Sequence, residues 1–394
     1  MAVDGFGTGR FAASELTRFT GAVLEHVGVP PTRAVRAAET LTLADLRGVS
    51  SHGVARLGYY VSHIEQGTVD PASSLQVVRE TASTIVFDAH DGLGIALAPE
   101  AMDACIVRAE TSGVAFCTVR HSSHFGIGAA YVIPAARRGL GALAMTNAGP
   151  LVVPTGGGVA MLGTNPIAFA VPVGNGEPPL VLDMATSTVA WGKIEIARRA
   201  GKSIPAGWAL DETGAATTDP FAARWLTPLG GDEDGAGHKG YGLATVVDVL
   251  CGPLAGALWG THLASVQRPG LRPGLGHCFL AWRIDAFRDP AEFGHDLRQL
   301  LAELRATPPG TDRQGVLAPG DPEIAAEVRH GADGIALDAQ VIADLEHLAA
   351  RLGISPPRSE PVRGRLTPVP GQSGDRVERR PSTRTNTSGD TESE

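Results

Sequence analysis

The apolar residues change their spacing twice along the chain, and this restricts the fold more than any single motif. Near the start, Leu16, Phe19, Val23, Leu24 and Val27 form a helical stripe behind Ala13-Ser14. Pro30-Pro31 opens a second helix that reaches Leu46, and Val54 to Gln66, closed by Gly67, reads as a third. A helix over 97–112 and short strands at 84–88 and 114–119 follow. From about residue 120 to 285 strand-like runs alternate with Gly/Pro turns, at 141–147, 167–173, 179–186 and 278–284, with one helix at 241–250. Beyond Asp296 the chain returns to helix at 297–305, 322–330 and 339–352. Helical ends around a sheet-rich middle predict an α/β or α+β fold. The regular βαβαβ alternation of a doubly wound sheet is missing.

Composition narrows the function classes. The 394 residues suggest two or three domains, and 43% hydrophobic residues suffice for a large core. The 33 basic against 42 acidic residues give a net charge of −9, which leaves no basic excess for a nucleic-acid backbone. No run reaches the ~18 apolar residues of a membrane helix, and the first residues lack a secretory signal pattern. The four cysteines, Cys105, Cys117, Cys251 and Cys278, stand far apart. Neither a metal cage nor a disulfide framework is expected, and a cytoplasmic location is. The segment 358–394 has only Val362, Leu366, Val369 and Val377 as aliphatic residues, so a disordered tail is expected there.

Five segments draw attention for chemistry. His52 lies in RGVSSHGVAR (47–56), and Tyr60 follows. If a helix starts at Val54, Arg56 and Tyr60 share one face just beyond His52. A carboxylate site with an adjacent proton donor fits those residues, and so does a plain helix cap. His124, in HSSHFG (121–126), follows a strand, where catalytic groups concentrate. Asp183 ends the apolar run PLVLD and either orients a group or closes an Asx turn. GAGHKG (235–240) matches GxGxxG, but a polar loop precedes it and no acidic residue stands about 20 positions on. It is therefore no Rossmann fingerprint, and what remains is a Gly-rich loop with Lys239, one of three lysines, as a phosphate cradle or a surface loop. Asp321, in APGD (318–321), reads as a helix N-cap followed by Pro at N1.

Together these segments resemble the malate/L-lactate dehydrogenase-like family of nicotinamide-dependent oxidoreductases, distinct from the Rossmann-type enzymes. The matching stretches are ADLRGVSSHGVARLGYY (44–60), HSSHFGIGAAY (121–131), GTNPIAFAVP (163–172), LDMATSTVAWGKIEIARRAGKSIPAGWALDETGAATTDP (182–220), GHKGYGLATVVDVL (237–250), GHCFLAWRIDAF (276–287) and APGD (318–321), in family order. The resemblance implies a non-Rossmann dinucleotide-binding fold. It divides the chain into a helical N-terminal part of the substrate domain (1–124), a cofactor domain (125–296), a helical C-terminal part packed on the first (297–357) and the tail (358–394).

It also implies NAD or NADP as cofactor, a small 2-oxo or 2-hydroxy acid as substrate, and a homodimer with no metal, nucleic acid or membrane. His52, His124 and Asp183 match catalytic residues, with His52 the preferred proton donor and Asp183 supporting the imidazolium. Ser51, Arg56 and Tyr60 match the substrate site. Asp183, Met184 and Ala185, Lys239 and Gly240, and Pro319, Gly320 and Asp321 match nucleotide contacts. The family often has Glu or Gln where Asp321 stands, and the loop before Lys239 is unusually long and acidic. Segment 191–208 also resembles ureidoglycolate dehydrogenases. A cyclic imino acid reductase and a nucleotide-binding relative without activity are the other readings.

Overall fold

The structure, a computed structural model, describes residues 9–264, 270–311 and 313–360. Its helices are α1 (Ala13–His26), α2 (Pro31–Leu46), α3 (Leu57–Glu65), α4 (Gly94–Ser112), α5 (Ala129–Arg137), α6 (Trp191–Ala200), α7 (Gly237–Cys251), α8 (Pro290–Ala306), α9 (Asp321–Asp333) and α10 (Ala339–Leu352). The strands are β1 (Gly9–Phe11), β2 (Gln76–Glu80), β3 (Thr84–Asp88), β4 (Val114–Ser122), β5 (Leu140–Thr146), β6 (Ile167–Val171), β7 (Leu180–Met184), β8 (Ala209–Leu210), β9 (Ala216–Thr217), β10 (Trp225–Leu226), β11 (Leu275–Arg283), β12 (Ile335–Leu337) and β13 (Ser359–Glu360).

Seven strands form one sheet in the order β2-β3-β4-β11-β5-β6-β7. Only the β3–β4 pair is parallel, which requires a crossover, and α4 supplies it. The central strands read as continuous apolar runs because both sheet faces are covered. On one face Cys117, Val119, Phe279 and Ala281 pack with α4 and α5. On the other, Met145 and Cys278 meet Val247 and Cys251 of α7. The non-Rossmann α/β fold inferred above is thus the observed one. The sheet also draws in β2, β3 and β4, which precede residue 124.

A second core joins the two helical ends. Leu16, Phe19, Val23 and Leu24 of α1 pack with Leu57 and Val61 of α3, and with Leu345 and Leu348 of α10. Burying each such side chain contributes about 1.5–3 kcal/mol. A three-stranded sheet, β12-β1-β13, ties the ends by backbone pairing. Here the tail expectation is corrected at its start: Ser359 and Glu360 pair with Phe11 and Arg10. Its remainder, 361–394, lies outside the described residues.

Several helix boundaries are corrected. α8 starts at Pro290, ahead of the expected 297, because the Asp289 carboxylate accepts the N–H groups of Ala291 and Glu292. α7 starts at Gly237, so GHKG is its first turn and not an open loop. α9 is capped by Gly320, and Asp321 is its first residue. α5 and α6 were not anticipated.

Candidate active site

Strands β4, β5 and β7 run in one direction, as the pairing through β11 and β6 dictates. Ligands in open α/β sheets collect beyond the carboxyl ends of such strands. A cavity of about 490 Å³ lies there, within the usual range for small-molecule sites. The loop after β4 brings His124 to it, and β7 brings Asp183, Met184 and Ala185. The loop after α2 adds Ser51, His52 and Arg56, and the start of α6 adds Trp191.

The loop after α2 owes its shape to Asp45. Its Oδ2 accepts the Val54 N–H at 2.8 Å inside the protein. Gly53 lies so close to this carboxylate that a Cβ there would sit 2.0 Å from Oδ1, so only glycine fits. Burial pushes the Asp45 carboxyl up to about 7, against the Val54 hydrogen bond. The chain therefore makes two short 3-10 turns, Ser50–His52 and Val54–Arg56, and α3 begins only at Leu57. The helix expected from Val54 is corrected accordingly. Arg56 remains exposed at the cavity, whereas Tyr60, one turn further, is 1% exposed.

Tyr60 acts on a histidine and does not line the cavity. Its hydroxyl lies 2.7 Å from Nδ1 of His124, and the Gly126 N–H donates to the same nitrogen at 3.3 Å. A nitrogen that accepts from a backbone N–H carries no proton itself, so neutral His124 holds its proton on Nε2. His52 stacks on it with ring centroids 5.5 Å apart. Nδ1 of His52 lies 2.9 Å from Ser51 Oγ, and Arg56 Nε donates to the Ser51 carbonyl at 2.8 Å.

Both imidazoles are held neutral. Burial and then the Arg56 charge lower His52 to about 4. Burial lowers His124 well below the ordinary value, and the neighbouring Arg56 charge adds to it, as would any proton on His52. Asp183 faces the open cavity but is otherwise surrounded by protein. Desolvation raises its carboxyl to about 6, opposed by the Ala129 N–H donated at 2.8 Å. Among the described residues Asp183 has no hydrogen bond to either histidine. The triad-like contact expected from the sequence is not formed, and the carboxylate instead receives the N-terminus of α5.

The remaining expected contacts are not gathered here. Lys239 is exposed in the first turn of α7, and Gly240 is packed on Leu229. Pro319, Gly320 and Asp321 lie outside the cavity lining. Gly320, at φ +91°, is pressed on the Val181 carbonyl. Asp321 accepts two bonds from Arg305 and one from the Ala318 N–H. Sequence reasoning missed Arg47, Tyr59, Trp191 and Glu323, which do line the cavity. Arg47 and Tyr59 stand inside the same quoted motif as His52, so their signal was present. Glu323 comes from α9, and only the tertiary fold reveals it. Among the described residues no group of three or more His, Cys, Asp or Glu side chains is arranged to hold a metal ion.

A second cavity of about 700 Å³ shares Arg47 and Val181 with the first. Two adjoining spaces along β7 provide room for an elongated ligand and a small one side by side.

Residues 11–346 match the malate/L-lactate dehydrogenase family. Malate dehydrogenase of Pyrococcus horikoshii is 37% identical over 349 residues, covering 88% of this chain and 96% of its own. Its solved structure superposes with a TM-score of 0.81, covering 89% of this chain and 97% of that one. Ureidoglycolate dehydrogenase (NAD(+)) of Escherichia coli is 35% identical over 312 residues, covering 79% of this chain and 87% of its own. The structure of delta1-piperideine-2-carboxylate reductase from Pseudomonas syringae gives a TM-score of 0.74 at 32% identity, covering 86% and 99% of the two chains. The chain belongs to the malate/L-lactate dehydrogenase family of oxidoreductases.

Proposed function

We propose that the protein is an NAD- or NADP-dependent dehydrogenase that interconverts small 2-hydroxy and 2-oxo acids. The observation that carries this reading is the meeting of His52, His124 and Arg56 at one cavity beyond β4 and β7. Met184 and Ala185 would border the nicotinamide end of the cofactor, and the adjoining cavity would take the rest. The bound cofactor supplies or accepts the hydride at C2.

The protein's own residues handle orientation and the proton. Arg56 has its terminal nitrogens available for a carboxylate, as a two-pronged grip requires. The Nε2–H of His124 points a neutral donor at the C2 oxygen, with its tautomer fixed by Tyr60 and Gly126. His52 exchanges the proton, as base in oxidation and acid in reduction. A carboxylate on Arg56 cancels the charge that helps lower the His52 pKa, so substrate binding itself raises that pKa and lets His52 carry the proton that reduction needs. Asp183 supports the imidazolium through its field and not through a bond.

The outer face of α7 exposes Leu243 (42%), Val246 (54%) and Val249 (50%), and Leu254 follows at 56%. A monomer rarely leaves such a stripe open, and a second copy of the chain would cover it, bringing Lys239 to the interface. The four cysteines are free and buried, in keeping with the reducing cytoplasm. No helix of the described residues is long and apolar enough to cross a membrane. We retain 125–296 as the cofactor part, between 1–124 and 297–357; the core that joins α1 and α3 to α10 supports grouping the two ends, while α8 packs on β6 and β2, β3 and β4 extend the central sheet.

A panel of pyruvate, oxaloacetate, ureidoglycolate and a cyclic imino acid with both cofactors tests the activity. His52→Ala and His124→Ala are each expected to lower kcat by roughly 10²-fold or more. Near wild-type kcat in both variants refutes the proposal.

A further inference from the structure

A third imidazole stands behind the cavity and touches neither space. His277, on β11 between β4 and β5, lines neither cavity and is wholly buried. Both its ring nitrogens are engaged: Nδ1 lies 2.8 Å from Thr146 Oγ1, and Nε2 lies 2.8 Å from Ser122 Oγ. Thr146 gives its one hydroxyl proton to the carbonyl of Asn147 or Gly276, each 3.0 Å away. Its oxygen therefore accepts from His277, which carries its proton on Nδ1, and Nε2 accepts from the Ser122 hydroxyl. The ring also stacks on Phe125, with centroids 4.9 Å and planes 15° apart. Burial lowers His277 to about 3, so it is neutral at ordinary pH.

These contacts meet at the strand end that delivers His124. The pairing of β4 with β11 is irregular there: His277 faces Val119, but Leu275 faces Ser122, so β4 holds one extra residue. His121, inside that stretch, takes φ +51°. Bulges of this kind re-aim a chain beside active sites. Two neighbours of His124 are fixed by other means as well. Ser123 Oγ donates to the Gly92 carbonyl at 3.0 Å and accepts the Gly94 N–H at 2.8 Å, and the Phe125 carbonyl accepts from the Tyr131 hydroxyl. His277 holds Ser122 by a bond and Phe125 by its ring. We propose that His277 is a positioning residue for His124: its two hydrogen bonds and its stack on Phe125 fix where the 121–126 loop presents that imidazole to the cavity. This rests on the reading of His124 as the donor to the C2 oxygen. Arg56 is carried by the separate loop after α2, so loosening the 121–126 loop reaches kcat and spares KM. A displacement of about 1 Å at a reacting group costs up to roughly 10²-fold in rate.

Two variants of the full chain test this. His277→Phe keeps a ring on Phe125 and loses both bonds. Ser122→Ala removes only the bond at Nε2, and it keeps the test open if His277→Phe does not fold. With the acid of the panel that is turned over, kcat per cofactor-binding site should fall about tenfold in Ser122→Ala and up to roughly 10²-fold in His277→Phe. KM for the acid and Kd for the reduced cofactor, read from its fluorescence, should stay within about threefold of wild type. In NMR spectra the His124 ring nitrogens should leave the fixed Nε2–H pattern and move towards tautomer-averaged shifts. Unchanged kcat in the folded variants, or unchanged His124 signals, overturns the positioning role. Loss of cofactor binding in step with kcat overturns it too, since a side chain that only holds the fold behaves so. If the wild type turns over no acid of the panel, the proposed function fails, and the His124 signals alone decide this inference.

Discussion

Replacing Asp45 by alanine is the most informative perturbation outside the residues that meet substrate. Its carboxylate accepts the Val54 N–H and lies against Gly53, both between His52 and Arg56 in the chain. Alanine leaves that N–H buried without an acceptor, at a cost of about 1–3 kcal/mol. It also opens a void beneath Gly53. If this cost falls on the equilibrium between the held loop and a displaced one, kcat/KM drops roughly 5- to 150-fold, at 1.4 kcal/mol per tenfold. KM should rise most, because Arg56 follows the loop. Asp45→Asn keeps an oxygen for Val54 and should restore kcat/KM to within about threefold of wild type. Steady-state kinetics with a 2-oxo acid and thermal melts on the same samples measure both effects. An alanine variant with a lowered Tm but wild-type kcat/KM would refute the reasoning. The carboxylate would then stabilise the fold without setting the site.

Three other outcomes follow from the same geometry. Tyr60→Phe removes one of two donors to His124 Nδ1 and should lower kcat roughly tenfold with little change in KM; an unchanged kcat, or an unchanged His124 nitrogen chemical shift, counts against it. Because His52 is lowered to about 4, its base form persists through neutral pH, so kcat/KM for oxidation should be flat there and fall only as pH approaches about 4. Reduction needs the protonated form, so its kcat/KM should fall about tenfold per unit above roughly pH 5, and a flat profile from about pH 5 to 8 contradicts this assignment. Val246→Glu puts a charge into the exposed stripe of α7 and should yield monomers in sedimentation; a dimer that survives it is built elsewhere.

The helical ends, the apolar strands and the failed Rossmann fingerprint were legible because periodicity and turn residues report local geometry. α7 shows where local signals fail. Glycines at 235, 237 and 240 suggest an open loop, but Gly237 and Gly240 are packed on the neighbouring backbone and the helix starts among them. Tyr60 shows a different limit. Four-residue spacing places it beside Arg56 only if the helix already exists, and the 3-10 turns before Leu57 remove that premise. His52, Arg56 and His124 were readable as chemistry-bearing residues. Their convergence, and the part played by Glu323 on the distant α9, depends on contacts that no local pattern encodes. The strands β1, β12 and β13, two or three residues each, are too short to register as a pattern.

Isotope transfer tests the central claim most directly. Cofactor carrying deuterium at both C4 positions of the reduced nicotinamide is mixed with enzyme and a 2-oxo acid, and the product is analysed by mass spectrometry and NMR. The account predicts one deuterium, at C2 of the 2-hydroxy acid, with transfer slowed in His52→Ala and in His124→Ala. Product without the label at C2, or equal rates in wild type and both variants, would contradict it.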